Sequence, residues 1–90
     1  MPKILEDQKL SLSIYIYTND HEPAHVHVFC GRKKSRRQPG MKIHLGSTEQ
    51  APKLIEAHPS LANKEIISAL KLVAQNQKYL LEKWHDIHRN

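Results

Sequence analysis

Three stretches in the first half of the chain alternate apolar with polar residues, a pattern typical of strands with one buried face. They cover residues 10–17, 25–30 and 41–46. Turn-forming residues follow the first stretch at 18–20, and Pro23 favours a loop because proline restricts the residue before it to extended backbone. The alternation predicts three antiparallel strands. Residues 52–57 fit a short fourth strand or a turn, and residues 1–9 fit a brief edge strand.

The last third of the chain predicts a helix. From 63 to 88, large apolar residues recur at spacings of four and three, which is typical of a helix packed on a sheet. An unbroken helix of that length would measure about 39 Å at about 1.5 Å per residue, longer than a domain of this size is wide. We therefore expect either a break at 75–77 or an overhanging end that forms a homodimer through the helix.

Together these elements predict the fold class. It is an α+β domain, with a three- or four-stranded antiparallel β-meander packed against one long C-terminal α-helix. Ninety residues fit one domain with one core, so we expect residues 1–90 to form a single domain.

Strand pairing predicts which side chains share a face. If the first two strands form a hairpin, their apolar sides must coincide, and this condition sets Ile16 beside Val26 and Tyr15 opposite His27. The third strand would add its own alternate residues to the same two faces. The face opposite the core should then carry tyrosines and histidines together: Tyr15, Tyr17, His25, His27 and His44.

The positive charge is concentrated in one segment. The formal net charge is +5, from fourteen basic and nine acidic residues, and five of the positive charges lie in one run: Arg32, Lys33, Lys34, Arg36 and Arg37. Without this run the chain is neutral. The run predicts an exposed connection that is either a solvated tip or a contact for an acidic partner or for RNA or DNA, non-specific and salt-dependent.

Cysteine content and hydropathy suggest the compartment. Cys30 is the single cysteine, so no internal disulfide can form, which fits a reducing cytoplasm. No apolar run approaches the roughly twenty residues of a membrane span, so we expect no membrane contact.

Two histidine pairs have the spacing of helical metal ligands, and neither favours a metal site. Residues 21–25 read His-Glu-x-x-His, the zinc protease signature, which requires both histidines on one helix face. Pro23 disrupts a helix there and β-branched residues follow at once, so we reject the protease hypothesis. His85 and His88 lie near the end of the predicted helix, and we expect them to be ordinary surface histidines.

His25-x-His27 is a better candidate for chemistry. Side chains two apart on a strand point the same way, so two imidazoles can converge on one ion, with His21 or His44 as a third ligand. Nothing in the sequence requires a cofactor. If the histidines bind one, a divalent transition metal is the cofactor that their spacing suits.

Two alternatives for His25 and His27 stay open. In the first, they hydrogen-bond to Tyr15, Tyr17 and the turn at Asp20 on a polar sheet face that binds a partner without catalysis. In the second, they act as acid and base on a phosphodiester, as in a small nuclease, with nearby cations neutralising the phosphate.

Nearly the whole chain resembles a known family. Met1-Pro2-x-Ile4, Asn19-Asp20-His21-x-Pro23-x-His25-Val26-His27-Val28, and a final helix with Leu80-Leu81 and Trp84 are similar to the small bacterial Domain of Unknown Function 4160 family. This chain departs from the family pattern in having Ala24 where a second proline is common and in having the basic run. The family motif maps onto His21, Pro23, His25 and His27.

The resemblance implies a biological role, although it brings no established catalytic residues. It implies a cytoplasmic bacterial protein, encoded beside an antitoxin-like protein partner, that acts as the toxin-like component of a toxin-antitoxin pair.

Overall fold

The computed structural model describes residues 3–31 and 39–89. Over these residues five strands precede two helices: β1 (Lys3–Asp7), β2 (Leu12–Tyr15), β3 (His25–Cys30), β4 (Gly40–His44), β5 (Lys53–Ala57), α1 (Asn63–Gln75) and α2 (Gln77–His88). The strands form one antiparallel sheet in chain order. The α+β class and the antiparallel meander are confirmed, whereas the prediction of three or four strands and one long helix was wrong.

The two strands that the alternation of apolar and polar residues predicts least clearly, β1 and β5, lie at the edges of the sheet. β1 pairs with β2, and β5 pairs with β4, each with one register shift along the pair. Ile55 of β5 is 41% exposed, so the apolar residues of this edge do not keep to one face. An edge strand is held by hydrogen bonds on one side and by partial burial, and such a strand has a weak sequence pattern.

β2 is shorter than the strand predicted over 10–17. Ser11 has a φ of 55°, in the left-handed region, which marks a turn before the strand. At the other end the backbone N–H of Tyr17 donates to Asp20 Oδ2, 3.1 Å away, so the chain already turns there. Ile16 is fully buried although it lies beyond the strand.

The register between β2 and β3 is the one predicted from the condition that their apolar sides coincide. β2 and β3 pair Ile14 with Val28 and Tyr15 with His27. β4 then pairs Lys42 with His27, and His44 with His25. The imidazoles of β3 therefore have β4 side chains as direct neighbours.

The core lies between one face of the sheet and the two helices. Its strand residues and the residues that follow them are apolar and almost wholly buried: Leu12, Ile14, Ile16, Val26, Val28, Met41, Ile43 and Leu45. The helices contribute Ala69, Leu72, Val73, Leu80 and Trp84 to the same cluster. Among the described residues, neither helix is both long and apolar enough to cross a membrane.

The helical segment breaks at Asn76, within the predicted interval. Asn76 has φ −117° and ψ 19°, outside the helical region, and its side chain donates to the carbonyl oxygen of Leu72 at 2.9 Å. Gln77 then donates from Nε2 to the carbonyl oxygens of Leu45, at 2.7 Å, and Gln50, at 2.9 Å. These bonds fix the start of α2 against the end of β4. The homodimer through the helix stays a prediction.

The basic run from Arg32 to Arg37 lies outside the described residues. Its contact with RNA or DNA stays a prediction.

Candidate metal centre

A tight turn places the Asp20 carboxylate beside β3. The backbone N–H of Asp20 donates to the Tyr17 carbonyl oxygen at 3.1 Å, and Asp20 Oδ2 accepts the Tyr17 N–H. An aspartate that accepts a hydrogen bond from its own turn has a restricted side chain. The second oxygen, Oδ1, is left to face the histidines of β3.

Both β3 imidazoles direct Nε2 at this one oxygen. Asp20 Oδ1 lies 3.4 Å from His25 Nε2 and 3.3 Å from His27 Nε2. His25 is 5% exposed, and its Nδ1 lies 3.0 Å from the carbonyl oxygen of Pro23. A carbonyl can only accept, so His25 donates from Nδ1, and Nε2 is the ring nitrogen left facing Asp20.

The protonation states favour an anionic carboxylate beside a neutral imidazole. Burial alone would raise the pKa of Asp20, but the hydrogen bond from Tyr17 and the neighbouring His27 and His25 outweigh it, so this pKa is lowered. Burial lowers the pKa of His27, with Asp20 opposing the shift in part. At neutral pH the His27–Asp20 contact is therefore a hydrogen bond more than an ion pair, and both groups are in the forms that bind metals.

Two of the three separations between the ligand atoms match those of a tetrahedral site. Two ligands bound at about 2.0–2.1 Å and separated by the tetrahedral angle are about 3.3–3.4 Å apart. The two measured separations from Asp20 Oδ1 are 3.3 and 3.4 Å, and all three ligand atoms lie within 4.8 Å of one another. Two histidines and one carboxylate form a donor set that suits zinc and other first-row transition metals.

The third member of the cluster is Asp20, where the sequence predicted His21 or His44. Within the part of the chain that the structure describes, the group suited to a metal consists of Asp20, His25 and His27. His21 is exposed in the loop before β3 and His44 lies across from His25 on β4, and both line the neighbouring cleft. Asp20 was considered only as a hydrogen-bonding turn residue, and its contact with His27 agrees with that alternative.

α2 supports the cluster from a position 62 residues along the chain. Trp84 Nε1 donates to Glu22 Oε1 at 3.1 Å, and the Trp84 ring centroid lies 5.3 Å from that of His25. On its other side Trp84 stacks on His88 at 3.8 Å, and His88 donates from Nδ1 to the Trp84 carbonyl oxygen at 2.9 Å. Trp84 therefore covers His25 and also holds the loop that leads into β3.

The same contacts explain why neither His21-Glu-x-x-His25 nor His85-x-x-His88 forms a helical ligand pair. Residues 21–24 are not helical, the Glu22–Pro23 peptide bond is cis, and the Glu22 carboxylate is engaged by Trp84. The prediction that this segment is not a helix is thus confirmed. At the other motif His85 is exposed while His88 packs on Trp84, so these two side chains do not form a ligand pair.

The tyrosines flank the cluster. The ring centroid of Tyr17 lies 4.8 Å from that of His27, and Tyr15 stacks on Tyr17 at 6.1 Å. Tyr15 also meets Phe29 edge to face at 5.5 Å. The shared face of tyrosines and histidines predicted from parity is therefore present, and it supports one side of His27.

A cleft of about 220 Å³ opens beside the cluster. Asp20, His25, Lys42 and His44 contribute to its walls. Burial lowers the pKa of His44, and the positive charges of His25, Lys42 and Lys53 lower it further. The sequence interpretation assigned Lys42 no role, although the alternation of β4 placed it in phase with His44.

The family model for Domain of unknown function (DUF4160) matches residues 12–85. The chain belongs to this family. The matched region contains the whole Asp20–His25–His27 cluster, Lys42 and Trp84, whereas β1 lies outside it. Searches of curated proteins and of solved structures found no match.

Proposed function

We propose that this domain binds one divalent transition metal through Asp20, His25 and His27 and uses the bound ion to activate water in a hydrolytic reaction. The observation behind the proposal is the convergence of both Nε2 atoms on a single carboxylate oxygen, at 3.3 and 3.4 Å. Both distances match the separation of ligands around one ion, and the contact of His27 is also a long hydrogen bond in the metal-free protein.

The surroundings of the cluster support a metal more than a histidine acid–base pair. A metal-binding histidine usually donates its other ring nitrogen to a carbonyl or carboxylate, as His25 does toward Pro23. His27, with its lowered pKa, is available as a neutral ligand. Three protein ligands leave a fourth position for water, whose pKa a bound zinc ion lowers to roughly 7.

This chemistry suits the toxin-like role that the family resemblance implies. A small metal-dependent hydrolase that cleaves nucleic acid would slow growth unless an antitoxin-like partner covers its open face. Expression of the chain alone, then together with its genomic neighbour, measures this role. Growth arrest that depends on His25 and His27 and is relieved by the neighbour supports it, while normal growth with the chain alone argues against it.

Metal titration tests the centre itself. The protein is purified without a histidine tag, stripped with a chelator and titrated with Co²⁺, whose visible absorption reports the ligand geometry. We expect about one equivalent bound per chain, with the intense bands of a tetrahedral site. Asp20→Asn keeps the side-chain shape but removes the charge, and it should weaken binding by roughly 100-fold, an estimate for a lost anionic ligand.

The matched control is Asp86→Asn, which removes an exposed carboxylate from α2. Its Co²⁺ affinity should equal that of the unmodified protein. Saturation below about a tenth of an equivalent, or equal affinities for the two aspartate variants, would show that the cluster is not a metal site.

A further inference from the structure

Lys42 lies next to the proposed metal centre on the neighbouring strand. It pairs directly with His27 across β3 and β4, so the two side chains leave the sheet on the same face. Lys42 also lines the cleft together with Asp20 and His25. The centre and one lysine thus border the same space.

Within the part of the chain that the structure describes, no carboxylate forms an ion pair with Lys42. Among the residues that the structure describes, the close contacts between acidic and basic groups join Lys3 to Glu6 and Asp20 to the β3 histidines. Glu56 pairs with Lys42 across β4 and β5, yet their charged groups form no ion pair within the described chain. The ammonium group therefore keeps its capacity to bind an external anion.

One further positive charge, that of Lys53, lies near this edge of the cleft. His44 lies two residues beyond Lys42 on the same face of β4, and Lys53 pairs with His44 from β5. Across the cleft, Asp20 is already directed at the histidines, and Glu22 accepts the hydrogen bond of Trp84. Once a divalent ion is bound, the space between it and Lys42 has cationic groups on both sides.

We propose that this space is a phosphate subsite, in which a phosphate ester places its anionic group between the metal and Lys42. The proposal rests on the metal centre proposed above and names its substrate class. A phosphate group presents several oxygens around one centre, so it can contact the ion and the ammonium group at once, and lysine commonly binds phosphate as a point charge.

The size of the cleft agrees with this assignment. Its volume is about 220 Å³. Pockets that enclose drug-sized ligands measure roughly 300–1,000 Å³. The cleft therefore accommodates the phosphate and the atoms next to it, while the rest of a larger substrate lies along the sheet surface.

The test uses phenyl phosphate as the probe. It is titrated into Co²⁺-loaded protein and followed by the change in the visible Co²⁺ bands. Lys42→Met keeps the apolar stem and removes the charge, and we expect it to weaken phenyl phosphate binding by roughly 10-fold or more, as for a lost charge-assisted contact. Co²⁺ affinity should stay within about twofold, because Lys42 is not a ligand.

Lys78→Met is the matched control, since Lys78 is exposed on α2. It should bind phenyl phosphate like the unmodified protein. Equal binding by Lys42→Met and Lys78→Met would overturn the subsite, and so would benzoate binding as tight as that of phenyl phosphate.

A second measurement separates this proposal from the metal centre. In the absence of metal, amide NMR shifts report weak phenyl phosphate binding, and we expect the residues around Lys42 and His44 to respond. If Co²⁺ fails to bind but these shifts appear and disappear with Lys42→Met, the metal centre is wrong and the anion site stands. If the shifts are absent and Lys42→Met leaves phosphate binding unchanged in the loaded protein, the subsite is wrong.

Discussion

The two histidine pairs of this protein both have a spacing that suits metal ligands, but their surroundings are very different. His25 and His27 lie two apart on β3, and His85 and His88 lie three apart on α2, so either spacing can bring two imidazoles to one side of an element. On β3 the rings converge on Asp20. On α2 one ring stacks on Trp84 and the other is exposed.

The difference shows that spacing alone does not make a metal site. The β3 pair has a carboxylate fixed by its own turn, a carbonyl that orients one ring, and a tryptophan that covers it. Each of these groups comes from outside the two-residue motif. The α2 pair has no carboxylate within contact distance among the described residues.

Removal of single histidines should separate the two pairs most clearly. We expect His25→Ala or His27→Ala to weaken Co²⁺ binding by roughly 1,000-fold, because a centre with three protein ligands loses its chelate geometry. His85→Ala should leave the affinity unchanged. Titration of the three variants measures the difference, and a similar loss in His85→Ala would mean that Co²⁺ binds elsewhere.

Replacement of Trp84 tests whether the helix supports the strand pair. Trp84→Phe keeps an aromatic ring but deletes the N–H that binds Glu22, so we expect metal affinity to fall roughly 10-fold, as for other groups that orient metal ligands. The free energy of unfolding should fall by about 1–2 kcal/mol. Tyr79→Phe, on the exposed side of α2, is the control. Unchanged affinity in Trp84→Phe would restrict Trp84 to a packing role.

Acid should lower the free energy of unfolding through His27 of β3, by less than the replacement of Trp84 does. Burial lowers the pKa of His27 below its ordinary value of 6.5, so below that pH the unfolded chain takes up a proton that the folded protein resists. Stability is therefore highest above pH 6.5 and falls as the pH drops from there toward the folded-state pKa of His27. Asp20, whose pKa is also lowered, adds a loss at more acidic pH.

Urea unfolding in the presence of a chelator measures this dependence between about pH 7.5 and 5. His27→Gln should reduce the slope of stability against pH, whereas Lys78→Gln should leave it unchanged. A slope that is identical in His27→Gln and the unmodified protein would place the acid sensitivity in other groups.

The sequence predicted the centre of the sheet better than its edges. Ile14 and Val28 alternate with polar residues, and this fixes both the face and the register. β1 and β5 each bury little apolar surface, so apolar and polar residues alternate only weakly in them. Backbone hydrogen bonds to the neighbouring strand hold them in the sheet. The apolar stripe does not reveal the break at Asn76, because it continues in phase from Val73 to Leu80. The break at 75–77 was predicted as one of two alternatives, from the length of the helix.

The candidate site was predictable where it depends on strand geometry. Parity alone placed His27 beside Tyr15 on one face. Asp20 and Trp84 could not be assigned, because one depends on how a turn closes and the other on where α2 packs against the loop. The alternation of Lys42 with His44 indicated that both side chains lie on one face. A lysine on an exposed strand face is usually interpreted as a residue that keeps the protein soluble.

The three proposed ligands lie within residues 20–27, so a single turn into one strand brings them together. Closing a loop this short takes only about 10–100 ns and carries a small entropic cost. The ligands should therefore meet transiently even before α2 has docked, and an ion should bind the unfolded chain measurably. Affinity for the unfolded chain would then subtract from the stability that a bound ion adds to the folded state.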